Sequence, residues 1–126
     1  MKKVTKANED YLEAILKLGG DTGGVKSVGV AKLLGVSKPA VTLATNNLLE
    51  SGLIKKASYG EITLTEKGAA IAEDILIKHN FIKSFLTTIG VSESKAEIEC
   101  CKMEHHLSDE TVDCLRKFCT AHGIEV

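Results

Sequence analysis

Residues 28–49, Val-Gly-Val-Ala-Lys-Leu-Leu-Gly-Val-Ser-Lys-Pro-Ala-Val-Thr-Leu-Ala-Thr-Asn-Asn-Leu-Leu, constrain the fold more than any other stretch of the chain. A short run with helical apolar spacing ends at Gly35, the residue type that most readily takes the left-handed backbone closing a helix. Ser37 is placed as an N-cap, and Pro39 stands in the next first turn, where its missing N–H has no partner to lose. Two helices joined by so tight a turn make a helix-turn-helix. Val30, Leu33, Leu34, Val36, Val41, Ala44, Leu48 and Leu49 are expected to share a core, leaving Lys38, Thr42, Thr45 and Asn46 outward. Small hydroxyls and amides on an exposed second helix suit the base edges of a major groove. The same pattern also serves an ordinary helical hairpin.

The next segment of the chain favours nucleic acid. Gly52 stops the second helix, and residues 53–65 read as two short strands around a Ser-Tyr-Gly turn. A hairpin placed there is the wing of a winged helix. Lys55 and Lys56, with Tyr59 near the tip, would meet phosphates, contacts that add affinity and salt dependence without reading sequence. The expected DNA-facing set is therefore Ser37, Lys38, Pro39, Thr42, Thr45 and Asn46, together with Lys55, Lys56 and Tyr59.

The remaining segments read as helices carrying isolated groups that bind cations. Residues 8–18 form an amphipathic helix with Asp10 and Glu13 together on one side, either a solvated face with Glu13 paired to Lys17 or part of a site. Thr65 is a candidate cap for a long helix from about Glu66 to Ile89, with His79 in the middle of its apolar stripe, either a packed core residue or a ligand. A further helix, capped at Ser92 or Ser94, is expected to run to about Leu107. On it Glu97, Cys101, Glu104 and His105 fall at helical spacing on one face, Cys100, Met103 and Leu107 on an adjoining apolar face, and His106 outside. The last helix, opening at Ser108, has Val112, Leu115 and Phe118 as its apolar side, while Cys114 and Cys119 lack ligand partners nearby.

Charge divides in the same way. Residues 1–68 carry ten lysines against seven acids and residues 69–126 carry six basic residues against ten acids, so a basic front precedes an acidic back. The opening lysines lead into acids with no apolar core of a secretory signal, and no apolar run approaches about 18 residues. A cytoplasmic location without membrane contact is expected, and in that reducing setting the four cysteines are thiols or ligands rather than disulfides.

Laid out in order, the residues resemble the diphtheria toxin repressor and manganese transport regulator family of metal-activated repressors. The likeness covers nearly the whole chain and rests on Asp10-Tyr11-Leu12-Glu13, the helix-turn-helix from Ala31 to Thr42, Gly52-Leu53, Leu64-Thr65-Glu66-Lys67-Gly68, His79 with Phe85-Leu86, and Glu104-His105-His106-Leu107-Ser108. It implies a mostly α fold with a small β-hairpin wing: a winged helix-turn-helix over residues 1–68, then a helical dimerisation and metal-binding domain over 69–126. It further implies a homodimer on palindromic double-stranded operator DNA, no small-molecule substrate and no catalytic residues. The implied metal ligands are Asp10, Glu13, His79, Cys101, Glu104 and His105.

The chain departs from the family pattern in three places. Asp10 is the choice of manganese-responsive members and Cys101 that of iron-responsive ones; a thiolate is soft and carboxylates are hard, so Fe2+ or Mn2+ is expected with a slight lean to Fe2+, and Co2+, Ni2+ or Zn2+ as substitutes in vitro. Lys83 stands where an auxiliary metal site often has a Glu, and a Lys83–Glu97 ion pair in place of a second ion gives one metal per subunit. The chain also stops at Val126, short of an SH3-like domain. Two rivals use the same residues: a redox-sensing winged-helix regulator acting through Cys100 and Cys101, and a metallohydrolase, for which no separate general base is evident.

Overall fold

The computed structural model describes residues 5–126; the basic start at residues 1–4 lies outside the described residues. The chain divides into two compact units, Met1–Ile75 and Leu76–Val126. Among the described residues six helices and one hairpin are formed: α1 (Lys6–Lys17), α2 (Ser27–Leu34), α3 (Lys38–Glu50), β1 (Ile54–Lys56), β2 (Ile62–Leu64), α4 (Glu66–Thr88), α5 (Glu93–Met103) and α6 (Asp109–Ala121). The division falls inside α4 rather than at its start, because Ala72 is fully buried in the first unit's core and Ile71 packs against that core.

In the first unit α1 packs on α2, α3 and β2, and α3 packs on α2 and β1. Local chemistry sets each boundary. Thr5 Oγ1 accepts from Asn8 N at 3.2 Å to start α1, and Ser37 Oγ accepts from Ala40 N at 3.3 Å to start α3. Gly35 closes α2 at φ 65°, where a Cβ would be strained. The hairpin pairs Ile54 with Leu64 and Lys56 with Ile62, and a bridge from Val25 to Ile62 ties it to the loop after α1. Thr65 caps α4 through Gly68 N at 3.1 Å and donates to Gly52 O at 2.8 Å, joining the start of α4 to the end of α3. A Cβ at Gly68 would lie 1.9 Å from Leu53 O, so this crossing requires glycine.

Leu12, Ile15, Val30, Val41, Leu48, Ile54 and Ile62 form the fully buried centre of this unit. Three residues expected there from the sequence are substantially exposed: Leu33 at 49%, Leu49 at 43% and Val36 at 36%. α2 is only eight residues long and presents one narrow face, centred on Val30, to its neighbours.

The second unit packs the rest of α4 with α5 and α6 around Phe81, Ile82, Leu86, Ala96, Cys100 and Val112. Ser92 caps α5 through Lys95 N, and Ser108 caps α6 through Thr111 N. Lys78 Nζ donates to Leu107 O at 2.7 Å, fixing the α5–α6 turn to α4, and the Arg116 guanidinium lies 4.7 Å from the Phe81 ring centre. Phe118, expected on the apolar side of α6, is 56% exposed and stacks on His122.

Candidate metal centre

His79 sits about three and a half turns into α4 with 3% exposure, held on the helix face that packs inward. Its Nδ1 lies 2.8 Å from Glu104 Oε2 and its Nε2 lies 3.3 Å from Glu97 Oε1. A neutral imidazole has one N–H and one lone pair, so between two carboxylates it can donate to only one. The other side calls for a second proton or a cation. Glu97 Oε2 is in turn 2.9 Å from Lys83 Nζ, whose pKa is raised by that hydrogen bond and by the carboxylate charge, so the ammonium holds Glu97 against Nε2. Without an ion the Nδ1–H donates to Glu104; with an ion in that place the ring proton would lie at Nε2, facing Glu97, and the Nδ1 lone pair would be free for the metal, the arrangement by which outer carboxylates orient a metal-binding histidine.

The helix expected to continue to Leu107 stops at Met103, with Glu104 as its C-cap and Ser108 beginning the next cap. Glu104 nevertheless keeps right-handed helical backbone, at φ −59° and ψ −28°, and its N–H donates to Cys100 O at 2.9 Å, so it stays on the face read from the sequence. The Glu104 and His105 side chains are both almost wholly buried, and His105 Nε2 approaches Glu104 Oε1 at 3.3 Å. That contact lacks hydrogen-bond geometry, so Glu104 Oε1 is buried with no hydrogen-bond partner among the described residues. His106 is exposed, and Met103 packs against the unit's core.

The two neighbouring thiols differ. Cys101 is partly exposed, with Sγ 3.8 Å from His79 Nδ1. Cys100 is fully buried, and its Sγ lies 3.6 Å from both His79 ring nitrogens, so it is aligned with neither lone pair. Burial, then the neighbouring Cys101, Glu97 and Glu104 charges, pushes the Cys100 thiol up to about 12. Assigning Cys100 to an apolar face missed its contact with His79; the signal was present only as two adjacent thiols. Cys119 is buried and Cys114 exposed.

In the first unit Asp10 and Glu13 lie one turn apart on α1. Asp10 is half-buried, Glu13 is buried at 7% exposure, and Glu13 Oε1 pairs with Lys17 Nζ at 3.1 Å. On the DNA-facing side, Lys38, Pro39, Thr42 and Asn46 of α3 are exposed, as are Ser37, Lys55 and Tyr59, the last at 78%; Lys56 is partly buried. Thr45, expected outward, is fully buried, its hydroxyl donating to Val41 O at 2.8 Å and Thr42 O at 3.1 Å. With Val41, Ala44 and Leu48 it completes the i, i+3, i+4, i+7 stripe that packs inward, and the backbone carbonyls satisfy its hydroxyl there. The outward helix face carries Leu43 and Asn47 instead.

Residues 65–121 match the family described as iron dependent repressor, metal binding and dimerisation domain, and residues 1–70 match a domain of unknown function. The transcriptional regulator MntR of Escherichia coli O6:H1 is 36% identical over 91% of this chain and 74% of its own length. The chain belongs to the diphtheria toxin repressor and manganese transport regulator family. An uncharacterised helix-turn-helix transcriptional regulator of Methanocaldococcus jannaschii is 41% identical over 91% of this chain and 94% of its own. Among solved structures, T. acidophilum IdeR aligns at 25% identity and TM-score 0.77 over 98% of this chain and 56% of its own. The manganese regulator SloR aligns at 30% identity and TM-score 0.79 over 94% and 55%. The chain thus spans a little over half the length of those two structures.

The second unit fits the ion that this metal-dependent family implies. Glu104 Oε1 is a buried oxygen without a hydrogen bond among the described residues, His79 presents one nitrogen on the same side, and His105 and Cys101 add nitrogen and sulfur. Such a mixed donor set suits a first-row divalent metal better than Mg2+ or Ca2+, which take oxygen alone.

Proposed function

We propose that the chain is a metal-activated transcriptional repressor of metal-uptake or homeostasis genes. It acts in the cytoplasm as a homodimer on palindromic operator DNA, with no enzymatic activity. The observation that carries the reading is the buried His79–Glu104 pair, with His105 and Cys101 beside it, in a chain whose other unit is a winged helix. His79, Cys101, Glu104 and His105 hold a divalent ion, and Asp10 and Glu13 of α1 supply the carboxylates that complete the set. Residues 1–68 read DNA and residues 69–126 dimerise and bind metal. A bound ion supplies a positive charge that several helices must share. Fe2+ and Mn2+ are the candidates, Cys101 favouring the softer Fe2+ and the carboxylates the harder Mn2+.

The residues of this chain then act as a clamp. Lys83 and Glu97 fix the His79 ring, and Lys83 takes the place of a second cation at Glu97, giving one ion per subunit. Asp10 and Glu13 lie on the helix that packs against α2 and α3, so holding α1 sets the position of the reading helix. Palindromic half-sites require the two reading helices of a dimer about 34 Å apart. Lys38, Thr42, Asn46, Lys55 and Tyr59 meet the duplex, Asn46 and Thr42 at base edges and the lysines at phosphates. The test selects a palindromic duplex from a random library with Fe2+ or Mn2+ under anaerobic conditions and measures its binding with metal and with chelator. Tighter binding with metal is expected; equal affinity in chelator overturns the clamp. Hydrolytic turnover with bound Mn2+ would favour the metallohydrolase reading instead.

A further inference from the structure

The regulatory ligand set leaves Cys100 unused, yet its Sγ is 3.6 Å from the His79 ring nitrogens and Cys101 Sγ is 3.8 Å from Nδ1. One donor atom from each of the three residues lies within 4.8 Å of the other two, all inside the Leu76–Val126 unit. For a tetrahedral ion with metal–sulfur and metal–nitrogen bonds of about 2.3 and 2.0 Å, the sulfur-to-nitrogen edge is roughly 3.6 Å. Both sulfur-to-Nδ1 distances, 3.6 and 3.8 Å, stand near that edge length.

We propose that Cys100, Cys101 and His79 form a second, sulfur-rich donor set that captures a thiophilic divalent ion such as Cd2+ or Zn2+ without Glu104 or the α1 carboxylates. Two thiolates and an imidazole are a soft set, whereas the carboxylate-rich set favours harder ions. Because His79 belongs to both, the two sets exclude each other. Cys100 lies on neither lone pair of the ring, so capture requires its side chain to turn about χ1. The hydrogen-bond contacts that Sγ would give up or adjust in that turn, to Glu97 O at 3.3 Å and to the His79 ring nitrogens at 3.6 Å, are weak ones made by sulfur. Each thiol releases one proton to solvent as its sulfur–metal bond forms, and no oxidant or reductant takes part. An ion held this way makes no demand on the first unit.

The inference shares His79 and Cys101 with the proposed regulatory site but does not depend on DNA binding. The full chain, reduced and metal-free, is titrated with Cd2+ while the ultraviolet sulfur-to-cadmium charge-transfer band is recorded. Cys100→Ala is expected to lose about half the band intensity, and Glu104→Gln to keep it in full. A full-intensity band in Cys100→Ala, or its loss in Glu104→Gln, overturns the second set. Cadmium NMR of the unmutated protein counts the sulfurs without any variant: a shift typical of two thiolates is expected, and one typical of a single thiolate overturns the proposal. In a parallel calorimetric titration Glu104→Gln is expected to weaken Mn2+ binding at least about tenfold. Unchanged Mn2+ binding would overturn the regulatory site while leaving the cadmium result intact.

Discussion

Glu104→Gln isolates the charge of the buried carboxylate while keeping its shape. In the native chain Oε2 lies 2.8 Å from His79 Nδ1, and Oε1 is buried without a hydrogen bond among the described residues. An amide of equal volume still accepts from an Nδ1–H through its oxygen and loses only the negative charge that an ion would use. With Mn2+ at about 100 times the dissociation constant, binding stabilises the competent state by about 2.7 kcal/mol. If the substitution weakens the ion about a hundredfold, what loss of an outer partner costs at most and so a floor for a direct ligand, the same concentration contributes about 0.4 kcal/mol. The metal-induced gain in operator affinity should then fall from about a hundredfold to about twofold. Fluorescence anisotropy of a labelled palindromic duplex, with Mn2+ and with chelator, reads that ratio. The metal-free melting temperature should not fall, since the amide oxygen keeps the His79 hydrogen bond while a buried charge has been removed. A variant that keeps a metal-dependent gain within about threefold of the unmutated protein would refute the reasoning.

Three further outcomes test the surrounding structure. Lys83→Met releases Glu97 from its 2.9 Å ion pair and should weaken Mn2+ binding about tenfold by calorimetry while leaving the far-ultraviolet circular dichroism unchanged. Thr45→Val should leave operator affinity within about twofold, because the side chain is buried, and change stability by about 1 kcal/mol; Asn46→Ala, on the exposed face, should weaken operator binding by about 1–3 kcal/mol in the same anisotropy assay. Gly68→Ala places a Cβ 1.9 Å from Leu53 O and should destabilise the chain by about 3 kcal/mol in urea unfolding.

Element boundaries set by short-range chemistry were legible in the residues themselves. Ser37, Thr65, Ser92 and Ser108 each cap the helix read from them, and Gly35 closes α2 with positive φ. The hairpin after α3 was equally plain, because apolar strand residues flank a Ser-Tyr-Gly turn. Thr45 shows the limit of such reading: polarity suggested an outward side chain, but the i−4 carbonyl can satisfy a threonine hydroxyl, and helical phase placed it inside. The exposed Leu33 and Leu49 show the converse, since apolar character does not say which face finds a neighbour.

The sequence by itself determined the winged helix-turn-helix, the long α4 and the supply of imidazole, carboxylate and thiol groups, because helical period, caps and turn residues act over a few positions. Only the tertiary structure decided which of those groups meet. Packing of α5 buries Glu104 and His105 side by side, α4 brings His79 to Glu104 from 25 positions away in the chain, and Lys83 holds Glu97 on the far side of its ring. Those relations depend on how α4 and α5 pack, which sums many weak apolar contacts and is written in no single motif.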